Sequence, residues 1–277
     1  MQLSLSGFLF EDGYAAQSVT FAEFCAFARG AGYDGVELRR TQVNPETPKP
    51  ERARLLRTVR DEGLTVTCLT ARGLPDADPR RDDFFLRYLA LCHEMDCPLL
   101  KIASDPAWLH QAAERAQAQG VALAVNNHIG GPLETVAGAR AYLASVNHPN
   151  FGLLFDPLHL YINGEDHVGC IAEFANVTRN ILVHSARLAA ERLQEHAAPI
   201  TWHGRTWIPA LPDEPGVQNW PALFTAYRQR GYDGLVTVIE SGWPRDRRKQ
   251  VGRRCAAAVR GFWEQRDKDP SLPAPTP

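Results

Sequence analysis

The stretch Gly152, Leu153, Leu154, Phe155, Asp156, Pro157, Leu158, His159 joins an apolar run of strand length to an aspartate and, one tight corner later, a histidine. Asp156 and His159 pair a hard carboxylate oxygen with an imidazole nitrogen, the donor types that hold divalent metals. Similar endings recur nearby. Asn126 follows the run 121–125, His184 follows 180–183, and Glu240 follows 235–239. Asn126, Asp156, His184 and Glu240 therefore form a candidate metal set drawn from four successive strand ends. Two carboxylates, one imidazole and one amide carbonyl make Mn²⁺ or Mg²⁺ the expected ion, with Zn²⁺ or Co²⁺ also accommodated. The competing reading is a hydrogen-bonded polar cluster that closes the strand ends without an ion.

The elements that must position these residues alternate along the chain. Short apolar runs at 3–8, 35–38, 65–70, 99–103, 121–125, 152–155, 180–183 and 235–239 read as strands. Segments of helical period lie between and after them, at 21–31, 50–62, 80–95, 106–119, 133–144, 165–177, 220–230 and 247–265. In the first of these, Phe21, Phe24, Cys25, Phe27 and Ala28 share one face, and Gly32 stands where a terminating glycine belongs. Eight alternating strand and helix pairs predict a single-domain α/β protein, a (β/α)8 TIM barrel over residues 1–266. Residues 188–219 break the pattern with Trp202, His203, Arg205, Trp207 and a proline-rich run, and read as a long loop over the barrel mouth. The proline-rich tail 267–277 is expected to be disordered.

A formal net charge of -2 leaves no basic field to recruit nucleic acid or an anionic membrane, so a small molecule is the expected partner. Six cysteines without a CxxC spacing read as buried free thiols of a reducing compartment. The first residues have no basic, signal-like start, and no run of about 18 apolar residues occurs, so a cytoplasmic location is expected. No GxGxxG follows the first strand, which argues against a dinucleotide site.

In this framework the strand ends share one mouth. Lys101, set in the apolar run Leu99, Leu100, Lys101, Ile102, would face the interior as a desolvated proton carrier, or else pair with a carboxylate such as Glu37. His128 and His159 are further candidates for proton transfer or for orienting substrate. Glu37 and Arg72, at the ends of the second and third strands, are placed near the same mouth, where they could bind substrate.

The chain resembles the xylose isomerase-like barrel superfamily, in particular the sugar phosphate isomerase and epimerase group. The resemblance is carried by Phe21 to Phe24 leading into Gly32, Tyr33, Asp34, Gly35, Val36, Glu37, Leu38; by Asn126, Asn127, His128; by Asp156, Pro157, Leu158, His159; by His184; and by Trp220 to Leu223 leading through Gly231, Tyr232, Asp233, Gly234 to Glu240. It implies a metal held by glutamate, aspartate, histidine and glutamate, and proton transfer beside a carbonyl of a sugar or polyol. Asn126 stands where the resemblance implies the first glutamate. An amide can offer its oxygen to a metal but cannot carry a proton to or from carbon, so two-base epimerisation is disfavoured.

Glu240 matches the other glutamate and is expected to be the general base. Arg187 stands where relatives place an aspartate, and its forked donors suit an anionic group on the substrate. Arg205 matches a position of substrate-contacting arginines, and Trp202 or Trp207 would stack on a sugar face. The expected function is a metal-dependent isomerase, epimerase or lyase. The alternative is a non-catalytic sugar-binding or partner-binding barrel with a degraded metal site, and a homo-oligomer is compatible with both. A metal-dependent nuclease is a third reading, which neither the charge balance nor the few histidines at strand ends supports.

Overall fold

The computed structural model describes residues 1–71, 78–189 and 199–264. Its eight main strands are β1 (Gln2–Ser6), β2 (Gly35–Leu38), β3 (Thr65–Thr70), β4 (Leu99–Lys101), β5 (Ala122–Asn126), β6 (Phe151–Phe155), β7 (Thr178–Val183) and β8 (Leu235–Val238). They pair in chain order and in parallel, and β8 closes on β1 from Gln2↔Leu235 to Leu5↔Val238. The result is the (β/α)8 barrel expected from the alternating pattern.

Parallel strands covered on both faces need apolar side chains on both, and the two sets separate by alternation along each strand. Cys68, Leu99, Ala124, Leu154, Leu182, Leu235 and Ile239 cluster inside the barrel. Leu153, Phe155, Ile181, Val183, Val236 and Val238 belong instead to the larger cluster shared with the surrounding helices. Polar residues inside are paired: Ser4 with Thr67 at 2.7 Å, and the Asn180 amide with Thr237 Oγ1 at 2.9 Å.

The helices are α1 (Phe21–Gly30), α2 (Lys49–Asp61), α3 (Arg81–Glu94), α4 (Pro106–Gln117), α5 (Val136–Val146), α6 (Pro157–Ile162), α7 (Ile171–Phe174), α8 (Trp220–Gln229) and α9 (Arg248–Glu264). Local signals begin several of them. Thr20 and Glu23 form a reciprocal capping box on α1, Asp105 caps α4, Thr135 caps α5 and Asn219 caps α8.

Two connections differ from their sequence-based expectation. The helix expected over 165–177 is replaced by α6, which starts directly after β6, and by the short α7 with a 3-10 turn at Ala175–Val177. The reason is local: Asp156 caps α6, Pro157 occupies its first turn, and Gly164 at φ +78° then breaks the helical path. The long loop carries a three-stranded antiparallel sheet, Ala186–Leu188, Ile200–Trp202 and Arg205–Pro209, with the last strand in the centre. His203 and Gly204, at φ +46° and +71°, turn the hairpin between its second and third strands. The expected tail 267–277 lies outside the described residues.

Candidate functional site

Alternation decides which residues at the strand ends face inward. Lys101, Asn126, Asp156 and His184 each stand two positions beyond an inner-cluster residue, namely Leu99, Ala124, Leu154 and Leu182. All four line one cavity of about 420 Å³, together with Glu37, His128 and His159. Phe8, Ile129, Pro199, Ile200 and Pro209 add apolar surface to its lining, beside Tyr14 and Arg39.

Asp156 is fully buried and held at every atom but one. Its backbone N–H donates to Asn127 Oδ1 at 2.7 Å, and its carbonyl accepts from Asn127 Nδ2 at 2.8 Å. Oδ1 accepts the Leu158 N–H at 3.0 Å as the cap of α6. Oδ2 has no hydrogen-bond partner among the described residues, and it lies 3.4 Å from His159 Nε2 and 3.7 Å from His184 Nδ1. The spacing of three residues from the cap brings His159 back over Asp156 within the first turn of α6. One donor atom from each of Asp156, His159 and His184 lies within 4.8 Å of the others, a group able to hold a metal ion.

The electrostatics of Asp156 and His159 suit that role, whereas a metal at His184 would have to displace a proton. Burial raises the Asp156 carboxyl, but the adjoining His159 and His184 outweigh it and leave the group below its ordinary range. Burial pushes the His159 imidazole down to about 3, which keeps it neutral with a lone pair to offer. Burial also opposes protonation of His184, yet the Asp156 carboxylate prevails and raises it. Besides His159 Nδ1, two atoms here, Asp156 Oδ2 and His184 Nδ1, are buried without a hydrogen bond among the described residues. Left unmet, such atoms cost about 1–3 kcal/mol each, whereas a divalent ion would satisfy both. The residues present therefore fit a metal.

The Xylose isomerase-like TIM barrel family matches residues 25–258. The chain belongs to this family. Among curated proteins, the inosose dehydratase of Geobacillus thermodenitrificans is 22% identical over 155 residues, 52% of each chain. The match therefore spans about half the length of that relative. Among solved structures, a probable 3-DHS dehydratase involved in petrobactin synthesis in Bacillus anthracis superposes with a TM-score of 0.73 at 16% identity, covering 94% of this chain and 99% of that one. A D-psicose 3-epimerase from Clostridium cellulolyticum H10 superposes with a TM-score of 0.69 at 15% identity, covering 95% and 100%.

In this xylose isomerase-like barrel, Glu240 does not join the cluster of donor atoms. It is out of phase with Leu235, Thr237 and Ile239 and follows the phase of Val236 and Val238, which face the helices. It is fully buried, its Oε1 accepts the Ser185 N–H at 2.9 Å, and its Oε2 accepts Trp243 Nε1 at 3.1 Å. Burial raises its carboxyl to about 7, and Ile239 and Ser241 line the cavity in its place. With Trp220 Nε1 donating to Ser185 Oγ at 3.1 Å, Glu240 helps form the wall behind His184.

The other expected residues divide. Glu37 is buried beside the cavity; its Oε1 accepts from Ser6 Oγ at 2.9 Å and Thr70 Oγ1 at 3.3 Å, while Oε2 has no partner among the described residues. No ion pair joins it to Lys101 among the described residues. Asn126 lines the cavity, and its Nδ2 donates to Asn127 O at 2.9 Å, leaving Oδ1 buried and without a partner among the described residues. His128 packs against His159, ring centres 3.8 Å apart.

Trp207, expected against a sugar face, is buried under the flap with Leu158, Ile162 and Ala186, so its ring does not line the cavity. Trp202 Nε1 donates to Asn163 Oδ1 at 3.1 Å. Arg205 is exposed beside the hairpin turn, and Arg187 sits on the flap; neither lines the cavity. Arg72 lies outside the described residues. The pairing of Asn127 with Asp156 had no signal in sequence beyond adjacency to Asn126, because it joins strand ends 29 residues apart.

Proposed function

We propose that the protein is a metal-dependent isomerase, epimerase or lyase acting on a sugar or polyol beside a carbonyl, and that it favours the lyase reaction, loss of water from a polyhydroxylated ketone. The observation that carries this reading is the convergence of donor atoms from Asp156, His159 and His184 on a cavity that also presents Glu37 and Lys101. A divalent ion bound there would polarise a substrate oxygen and acidify the neighbouring C–H bond. The inosose dehydratase and 3-DHS dehydratase relatives support the lyase direction.

The expected general base, Glu240, has both oxygens engaged away from the cavity, so the proton-transfer roles pass to other residues. β2 lies four strands around the ring from β6, so Glu37 faces the Asp156 corner across the mouth. Its free Oε2 removes the proton beside the carbonyl. The electron pair of that C–H bond forms the new carbon–carbon double bond as the hydroxyl on the next carbon departs. Lys101 donates the proton that makes the departing group water. Asn126 offers its free Oδ1 to a substrate hydroxyl or to the ion, and its inability to carry a proton weighs against two-base epimerisation. His128 packs on His159 and orients it. This reading puts the reaction in the cytoplasm with a small-molecule sugar or polyol as partner, and a homo-oligomer is compatible with it.

The test is incubation with an inosose and with ketohexoses in D₂O, with and without metal. Mass spectrometry would detect loss of water, and NMR would detect exchange at carbon. Elimination from the inosose, abolished by chelator, by Asp156→Ala and by Glu37→Gln, is the expected result. Exchange without loss of water would favour isomerisation. Thermal stabilisation by sugars with neither reaction would establish the non-catalytic binding barrel instead.

A further inference from the structure

We infer that this site selects a nitrogen-preferring ion, Zn²⁺ or Co²⁺, over Mn²⁺ and Mg²⁺, with His159 as a ligand and Glu240 outside the coordination shell. The inference rests on the metal-dependent reading above and gives its ion a chemical class.

The donor count decides it. Asp156 supplies one oxygen only, because Oδ1 is committed to the Leu158 N–H at the start of α6. Glu240 supplies none, because the Ser185 and Trp243 N–H groups occupy both of its oxygens and the strand phase turns it away from the cavity. Asn126 is uncharged. The remaining close donors are two imidazoles, one from His159 at 3.4 Å and one from His184 at 3.7 Å from Asp156 Oδ2. The close set is therefore two nitrogens and one carboxylate oxygen, carrying a single formal negative charge, to which Asn126 Oδ1 can add only a neutral oxygen.

Hard ions take several oxygen ligands, and Mg²⁺ in particular relies on carboxylates and retained waters. Imidazole adds little affinity for them but much for Zn²⁺ and Co²⁺. Replacing the expected second carboxylate by a second imidazole thus weakens one class and strengthens the other. Asp156 is fixed on its other three polar atoms by Asn127 and Leu158, so it cannot turn to offer a second oxygen without breaking the helix cap.

The test uses the full chain stripped of metal by chelator. Isothermal titration with Zn²⁺, Co²⁺, Mn²⁺ and Mg²⁺ is combined with the visible absorption of bound Co²⁺, which reports coordination without any substrate. Zn²⁺ and Co²⁺ are expected to bind about 100-fold or more tighter than Mn²⁺. His159→Gln is expected to weaken Co²⁺ by about tenfold or more and to change its spectrum, and Glu240→Gln to change affinity by less than about threefold. Mn²⁺ binding within about tenfold of Co²⁺ would overturn the inference on the unsubstituted protein alone. A loss in Glu240→Gln with none in His159→Gln would overturn it too, and either result would leave the metal-dependent reading standing. Failure of every ion to bind would remove that reading itself.

Discussion

Replacing Asn127 by alanine removes the clamp that holds the central carboxylate. The side chain is buried, and it both accepts from the Asp156 N–H and donates to the Asp156 carbonyl, at 2.7 and 2.8 Å. Asp156 is fully buried, so water does not replace either bond. Each of the two buried groups left unpaired costs about 1–3 kcal/mol, which gives about 2–6 kcal/mol. For a chain of this size that corresponds to a fall in melting temperature of about 5–15 °C. Metal affinity should fall about tenfold as well, because a ligand whose backbone is released no longer presents Oδ2 in one place. Urea unfolding of the metal-free protein measures the first effect and Co²⁺ titration the second. Asn127→Asp should be no better, since it keeps an acceptor for the N–H but turns a carboxylate oxygen towards the carbonyl. A loss under about 0.5 kcal/mol with unchanged metal affinity would refute the reasoning.

Three other outcomes are expected. Asn126→Glu restores a carboxylate at the cavity wall and should tighten Mn²⁺ binding by about tenfold, more than it tightens Zn²⁺, in the same titration. All six cysteines are buried, and burial pushes the Cys25 and Cys170 thiols up to about 12, so a thiol reagent at pH 8 should modify none in the folded protein and all six in denaturant. Burial raises the Asp12 carboxyl, but hydrogen bonds and ion pairs to Arg245 and Arg248 outweigh it and hold the group below 3.8. A depressed carboxylate stabilises the fold above its unfolded value and loses that contribution as pH falls through its folded value. Asp12→Asn should therefore cost roughly 0.5 kcal/mol at pH 7 and progressively less as pH falls below the ordinary carboxylate range, as measured by urea unfolding across that range.

The barrel was legible in sequence because its signals are local. Each strand is a short apolar run, and caps such as Thr20 with Glu23 mark where helices begin. Asp156 and His184 were legible for the same reason, as polar residues in phase with the inward side chains Leu154 and Leu182. Glu240 could have been separated from them by the same count, since Val236 and Val238 share its phase and face the helices. Resemblance to a motif carried no information about that phase. His159 was visible as a candidate substrate contact, and its closeness to Asp156 follows once Asp156 is seen to cap a helix. The flap was harder to read. Its strands are three to five residues long and pair Ala186 with Pro209, so the register depends on tertiary packing over Leu158 and Ile162 rather than on any local period.

The most direct measurement is the metal content of the chain after loading with Co²⁺ and removal of excess, in the unsubstituted protein and in Asp156→Ala. One tightly held ion per chain, lost in Asp156→Ala, is the result expected if the Asp156, His159 and His184 donor atoms share a cation. Fewer than about 0.1 ion per chain, or the same content in Asp156→Ala, would contradict it.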